Sequence, residues 1–361
     1  MTVHTEILLI AIAVSIACAI PGVFLVLRRM SMMADAITHT VFLGIVLAFF
    51  MTEDLNSPFL LVGATLVGVG TVWLTEMIHN TGLVNEDASI GIIFPLLFSI
   101  AIILVSLYSG NAHLDVDTAL LGEIAFAPFD RWIVNGTDLG PISLWISLGV
   151  ALINLILVML FYKELQLSTF DPLLAGLFGF MPVLIHYVLM TMVSLTVVAS
   201  FQAVGAILVI GLMIGPAVIA YLWTDSVKAM LTSSIIIGII CAVVGTEVAF
   251  TMDVSIAGSI ATTIGIALII AVIATPKTGY IATYRRQRHL RRHYRETMML
   301  CHIYTHMDTP IAHVENGIGT IHEHLNWRPD YTHQAASQLK KQGLLYVTNG
   351  HYVLTDKGIA Q

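Results

Sequence analysis

The sequence predicts an all-α polytopic membrane protein that carries a small cytoplasmic α+β domain after its last span. Of its 361 residues, 57 % are hydrophobic and 11 % charged, the latter about half the share usual in soluble proteins. Mean hydropathy is +0.87. Apolar stretches of bilayer-crossing length recur as far as residue 275, separated by polar or Gly/Pro-containing breaks, and beyond Pro276 the chain turns basic and then mixed.

The spans fall near 6–27, 36–52, 58–78, 90–108, 141–162, 183–201, 203–223, 227–250 and 255–275. Nine result, or eight, because Ala199-Ser200-Phe201-Gln202 hardly makes a loop between the sixth and seventh. Threading nine spans puts Arg28, Arg29, Lys163, Lys228, Lys277 and the run Arg285 to Arg295 on one side, which the positive-inside rule makes the cytoplasm. The N-terminal residues then lie outside. So does the 109–140 loop, with Asp115, Asp117, Glu123, Asp130 and Asp138 against a single Arg131. The first span lacks a basic n-region and a small-residue cleavage site, so it reads as a membrane span and not a removed signal.

Two classes of chemistry find no support in the residues. Cys18, Cys241 and Cys301 form neither a disulfide framework nor a CxxC site. No GxxxxGK[ST] phosphate loop occurs, so the chain is not read as an enzyme, and any ATP hydrolysis belongs to another subunit. No covalently bound cofactor is expected.

The candidate site lies at the start of the second span, in Arg28-Arg29-Met30-Ser31-Met32-Met33-Ala34-Asp35-Ala36-Ile37-Thr38-His39. Asp35 and His39 are four residues apart and share one helix face. Counted from Arg29 they sit about 9 Å and about 15 Å into a hydrocarbon core about 30 Å thick. Ionisable groups at that depth are costly and mark ion pathways. A carboxylate oxygen with an imidazole nitrogen suits manganese, zinc or ferrous iron as the transported ion. The plainer alternative is a helix-start Asp beside a His bonded to a neighbouring carbonyl. Glu247 in the outer part of the eighth span, or His186 near the inner end of the sixth, could complete the ion's shell. Glu247 is the stronger candidate, since a lone His near an interface more often serves as a structural donor.

Between the fifth and sixth spans, Asp171 and Pro172 read as N-cap and first residue of a short helix ending at Gly176 or Gly179. Leu173, Leu174, Leu177 and Phe178 would leave it an unpartnered apolar face, for docking or for lying on the inner leaflet. Gly211 and Gly215 stand in GxxxG spacing beside Pro216, and Pro21-Gly22, Pro95 and Pro182 interrupt other spans. The stretch Gly205 to Pro216 is expected to form part of a moving pathway.

In the tail, the basic run 279–296 reads as a linker on anionic lipid headgroups. Met298 to His306, Ile311 to Leu325 and Tyr331 to Gln342 read as helices, and Asn349-Gly350 as the type I′ turn of a hairpin. Three helices and a hairpin over 297–361 describe a winged-helix domain. Its third helix offers only Lys340 and Lys341, with Asp330 at its start, so nucleic acid is not expected as a partner. Among the tail histidines, His302, His306, His322 and His324 could hold a regulatory metal, with Cys301 or His313 joining, or could be solvated surface groups; His289 and His293 have the same i, i+4 spacing.

Residues 6 to about 278 resemble the permease subunits of ABC importers for manganese, zinc and iron. The match is carried by Leu27-Arg28-Arg29-Met30-Ser31 through His39, Glu86-Asp87-Ala88-Ser89-Ile90-Gly91-Ile92, Phe170-Asp171-Pro172-Leu173-Leu174-Ala175-Gly176, and Val204 to Ala217. The chain has Thr38-His39-Thr40-Val41-Phe42-Leu43-Gly44 where the family usually has Ser-His-Ala-Val-Leu-Pro-Gly, so a proline kink is missing. The resemblance implies a permease domain over 1–278 that lines a translocation pathway as a dimer of identical or homologous chains. It implies cytoplasmic ATPase subunits docked on a coupling helix containing Asp171, Pro172, Leu174, Ala175, Leu177 and Gly179. It further implies an extracellular metal-binding lipoprotein and a place in the bacterial cytoplasmic membrane. In the tail, Tyr352-Val353-Leu354-Thr355-Asp356-Lys357-Gly358 resembles the winged-helix domain of metal-responsive repressors of the diphtheria-toxin-regulator type. Two rival readings remain open: a proton-coupled secondary transporter, and a membrane-tethered metal sensor or transcription regulator.

Overall fold

The computed structural model describes residues 2–53, 57–108, 124–134, 137–275 and 279–360, and these divide into two compact units, Met1–Ile273 and Ala274–Gln361. Asp115, Asp117, Glu123 and Lys277 lie outside the described residues.

Among the described residues of the first unit, nine helices are long and apolar enough to cross a membrane. They are α1 (Val3–Leu27), α2 (Ser31–Thr52), α3 (Phe59–His79), α4 (Glu86–Tyr108), α5 (Ile142–Leu160), α8 (Pro182–Val204), α9 (Ala206–Trp223), α10 (Val227–Met252) and α11 (Ile256–Ala274). Two further helices, α6 (Tyr162–Phe170) and α7 (Pro172–Leu177), lie between α5 and α8, and a hairpin of β1 (Arg131–Val134) and β2 (Thr137–Pro141) precedes α5. Pro21, Pro95 and Pro216 sit inside continuous helices, while Pro182 opens α8 at a position that needs no amide. The expected interruption at Pro21 and Pro95 is therefore absent. The break falls at Gly205, whose φ of 79° and ψ of 163° separate α8 from α9 by one residue, a backbone region open essentially to glycine.

Helix α1 is apolar all round and buried almost throughout, which places it at the centre of the unit, against α5, α8, α9 and α10. Helix α2 packs on α3, α4 and α8. Small residues permit the closest crossings. A Cβ on Gly22 would stand 1.9 Å from the Met213 carbonyl oxygen of α9, and one on Gly44 would stand 2.5 Å from Ala64 Cα of α3. Polar links reinforce them: buried Asn154 donates through Nδ2 to the Ala17 carbonyl (3.1 Å) and Thr196 Oγ1 (2.7 Å), joining α5 to α1 and α8. Helices α4, α5 and α11 keep apolar outer faces, with Ile103, Ile156 and Ile269 exposed, as lipid contact requires. Arg131 reaches buried Glu6 through both Nη atoms (3.1 and 3.2 Å) and Asp138 Oδ2 through Nε (2.6 Å), which pins the hairpin to the start of α1. The Gly140 amide, and then Arg131, hold the Asp138 carboxyl below the usual carboxylate range.

In the second unit the basic run and the first expected helix form one continuous helix, α12 (Tyr280–His306). The expected helix over Ile311 to Leu325 is instead two single turns, α13 (Ala312–Glu315) and α14 (Ile321–His324). The reason lies between them: Gly317 bridges to His351 of the hairpin and Asn316 accepts from the Tyr352 amide, so this backbone serves a sheet edge and cannot continue a helix. Helix α15 (Pro329–Lys341) follows, then strands β3 (Leu345–Thr348) and β4 (His351–Leu354) and the turn α16 (Asp356–Ile359). Asn349 and Gly350 both have positive φ, 49° and 80°, as the type I′ turn demands. Met299, Ile303, Ile321, Leu339, Leu345 and Leu354 form this unit's own core.

Candidate functional site

Helix α2 begins just after Arg29, whose φ of 61° turns the chain out of α1. Met33, Ala34, Ala36 and Ile37 are buried against neighbouring helices, whereas Asp35 and His39 occupy an open stripe of the same helix. Asp35 Oδ1 lies 3.6 Å from His39 Nε2, with the side chains 45 % and 32 % exposed. The His39 ring is held by Phe94 and Phe98 of α4, at centroid distances of 5.3 and 5.9 Å. Two donor atoms 3.6 Å apart fit one ion bonded to each at about 2.1 Å with an angle near about 118°. The His39 ring is thus positioned by aromatic packing and the Asp35 carboxylate, not by a carbonyl bond among the described contacts.

Glu247 is elsewhere. Its Oε1 lies 3.3 Å from Nε2 of His4, and its ligand atom does not converge with those of Asp35 and His39 within 4.8 Å. His186 belongs to a different assembly at the other end of α1. Arg28 donates through Nε to Thr169 Oγ1 (3.2 Å), through Nη2 to Ser168 Oγ (3.1 Å) and through Nη1 to His186 Nδ1 (3.1 Å). His186 Nε2 lies 2.7 Å from Glu76 Oε1, and Tyr187 Oη donates to Glu76 Oε2 at 2.8 Å. These bonds tie the end of α1, the end of α3 and the start of α8 to α6, the helix that leads into α7. Sequence reasoning passed over Glu76, although an acid in the last turn of an apolar span was the signal to follow.

The short helix forms as its caps dictate. Asp171 Oδ1 accepts the Leu174 amide at 2.9 Å, and Pro172 takes the first position. At the other end Gly179, at φ 83°, donates to the Gly176 carbonyl while Phe180 donates to that of Ala175, both at 3.1 Å, a Schellman closure. Ala175 is buried, and Leu173, Leu174, Leu177 and Phe178 are exposed.

In the C-terminal unit, His302, His306 and Glu315 converge, and His324 Nδ1 joins at 3.3 Å from the Glu315 carboxylate. Burial lowers the His302 imidazole below its ordinary value, partly offset by its hydrogen bond to the Glu315 carbonyl. His322 and His313 take no part in this convergence, and exposed Cys301 lines the same cavity.

Residues 2–275 match the sequence profile of the ABC 3 transport family. The chain is 41 % identical over 356 residues to "Zinc transport system membrane protein TroD" of Treponema pallidum (strain Nichols), covering 98 % of this chain and 96 % of that protein. It is 42 % identical over 281 residues to "Manganese transport system membrane protein MntD" of Bacillus subtilis (strain 168), covering 78 % and 95 %. Among solved structures, one described as "PsaBC from Streptococcus pneumoniae in complex with Fab" matches with a TM-score of 0.65 and 29 % identity, over 79 % of this chain and 96 % of that one.

Proposed function

Since the chain belongs to the ABC 3 transport family, we propose that it is the permease subunit of an ATP-driven importer of a divalent transition-metal ion, manganese first and then zinc or iron. The observation that carries this reading is the Asp35–His39 pair: two metal-type donors 3.6 Å apart, open beside the buried Met33, Ala34, Ala36 and Ile37 of the same helix. The ion in transit is the cargo. Two donors are too few for it, so its remaining ligands come from water or from a second permease chain, identical or homologous, facing the same stripe. Glu247, paired with His4, reaches the ion only if that pair is broken.

ATP hydrolysis belongs to separate cytoplasmic subunits. The exposed leucines of α7, held out by the Asp171 cap and the Gly179 closure, form the docking contact, and the Arg28–His186–Glu76–Tyr187 network links that contact to α1, α3 and α8. An extracellular metal-binding lipoprotein delivers the ion at the opposite end. Arg28, Arg29, Lys163 and Lys228 mark the cytoplasmic side of a bacterial cell membrane. The segment Gly205 to Pro216 moves during transport, with Gly205 as hinge.

The domains run 1–278, 279–296 and 297–361. The last is a cytoplasmic winged-helix-type domain, a reading supported by the order of helices and the β3–β4 hairpin. It regulates transport and does not read DNA sequence, because α15 carries Asp330 at its start and only two lysines at its end.

Asp35→Ala and His39→Ala each abolish manganese accumulation by cells while the amount of membrane-inserted protein stays unchanged. Normal uptake by both variants refutes the assignment.

A further inference from the structure

We propose that His302, His306, Glu315 and His324 form a binding site for a zinc-type divalent cation in the C-terminal unit, and that its occupancy senses metal on the cytoplasmic side. The Glu315 Oε2 atom lies 4.0 Å from His302 Nε2, 3.8 Å from His306 Nε2 and 3.3 Å from His324 Nδ1. In a tetrahedral site with bonds of about 2.0–2.1 Å, neighbouring ligand atoms stand about 3.3–3.4 Å apart. The ligand atoms of His302, His306 and Glu315 already lie within 4.8 Å of one another, and His324, in contact with the same carboxylate, is the fourth donor once its side chain turns toward them.

The donors come from three elements. His302 and His306 stand one turn apart on α12, Glu315 ends α13 and His324 ends α14. Their ring contacts agree with a shared centre: the His302 and His306 centroids are 4.7 Å apart, and the His302 and His324 rings stack at 6.1 Å. Glu315 is 18 % exposed and the imidazoles 13 to 33 %. The group is therefore partly dehydrated yet reachable, at the edge of a cavity of about 380 Å³ lined by Tyr294, Met298 and Cys301. Folding alone does not call for this convergence. The unit's apolar core is built from other residues, and one carboxylate oxygen cannot accept well-aligned protons from three rings at once.

In the metal-free chain, His302 Nε2 lies 3.3 Å from the Glu315 carbonyl, to which it donates its proton. An ion at Nε2 takes the place of that hydrogen bond, and the imidazole keeps its single proton on Nδ1. Three imidazoles with one carboxylate make a nitrogen-rich set that favours zinc or cobalt over manganese by at least about tenfold. Binding also ties two single-turn helices to α12, ordering the 307–323 stretch. The sensing half of the proposal rests on the importer reading, whereas the binding half does not.

The test uses the full-length chain in detergent, purified without a polyhistidine tag, with Asp35→Ala and His39→Ala installed to remove the membrane donors. Titration with zinc alone retains one equivalent per chain, and cobalt alone gives the visible bands of a tetrahedral site. Adding Glu315→Gln and His306→Ala removes both signals, with circular dichroism unchanged. Zinc also protects the 307–323 stretch from protease in the first protein and not in the second. Absence of the equivalent, or its persistence in the second protein, overturns the site. In vesicles loaded with zinc, Glu315→Gln in the otherwise natural chain imports at an undiminished rate where the unaltered chain slows. Equal slowing overturns the sensing role and leaves the Asp35 and His39 experiment, which judges the importer reading, untouched.

Discussion

Replacing Gly22 with alanine tests whether the centre of the membrane unit is as tightly built as described. The new Cβ would meet the Met213 carbonyl oxygen at 1.9 Å and its carbon at 2.8 Å. Ordinary contact begins near 3.4 Å, so α1 and α9 must separate by about 1.5 Å, the difference between the two distances. Both partners are backbone, and no rotamer change relieves the clash. Overpacking of this kind costs about 1–3 kcal/mol, with the upper end fitting a backbone clash. Alanine's better helix propensity returns about 1 kcal/mol. A net loss of about 2 kcal/mol lowers the melting temperature by about 4–8 °C for a unit of this size. Gly211→Ala is the control. Its Cβ would find only Ile264 Cδ1 at 3.9 Å, so the propensity gain stands unopposed and the melting temperature holds or rises. Thermal unfolding of the two variants in one detergent, followed by tryptophan fluorescence or by aggregation, reads the difference. Because Met213 lies in the Gly205 to Pro216 segment, Gly22→Ala also slows uptake. If Gly22→Ala melts at or above the unaltered chain, the α1–α9 crossing is looser than described and the reasoning fails.

Two further outcomes follow from the polar and apolar contacts. Leu174→Asp with Leu177→Asp leaves the unfolding free energy within about 0.5 kcal/mol of the unaltered chain, since both side chains are exposed. It lowers ATPase co-purification and metal uptake together, and retention of both moves the docking surface elsewhere. Tyr187→Phe removes the 2.8 Å bond to Glu76 and costs about 0.6–1.7 kcal/mol, the range for interhelical bonds in membranes. The loss is read as a shift in chemical denaturation of the purified chain, and its absence shows that Glu76 is held by His186 alone.

Local signals account for the elements legible from residue order. Nine apolar stretches yielded nine bilayer-length helices among the described residues, because hydropathy acts on each segment separately. The Asp171-Pro172 cap and the Asn349-Gly350 turn also formed as written, each depending on a few adjacent residues. The i, i+4 spacing of Asp35 and His39 guaranteed a shared face, and the pair is in contact. What residue order did not reveal rests on partners distant along the chain. Glu76 meets His186 across 110 residues of sequence, and Glu247 faces His4 from the far side of the membrane unit's chain. Glu315, which carries no spacing signature of its own, replaces His322 beside His302, His306 and His324. The helix expected over Ile311 to Leu325 gave way to two turns because its middle backbone bonds to the hairpin. Periodicity and capping report the free energy of a segment alone, whereas these choices were made by contacts that exist only once the helices have packed.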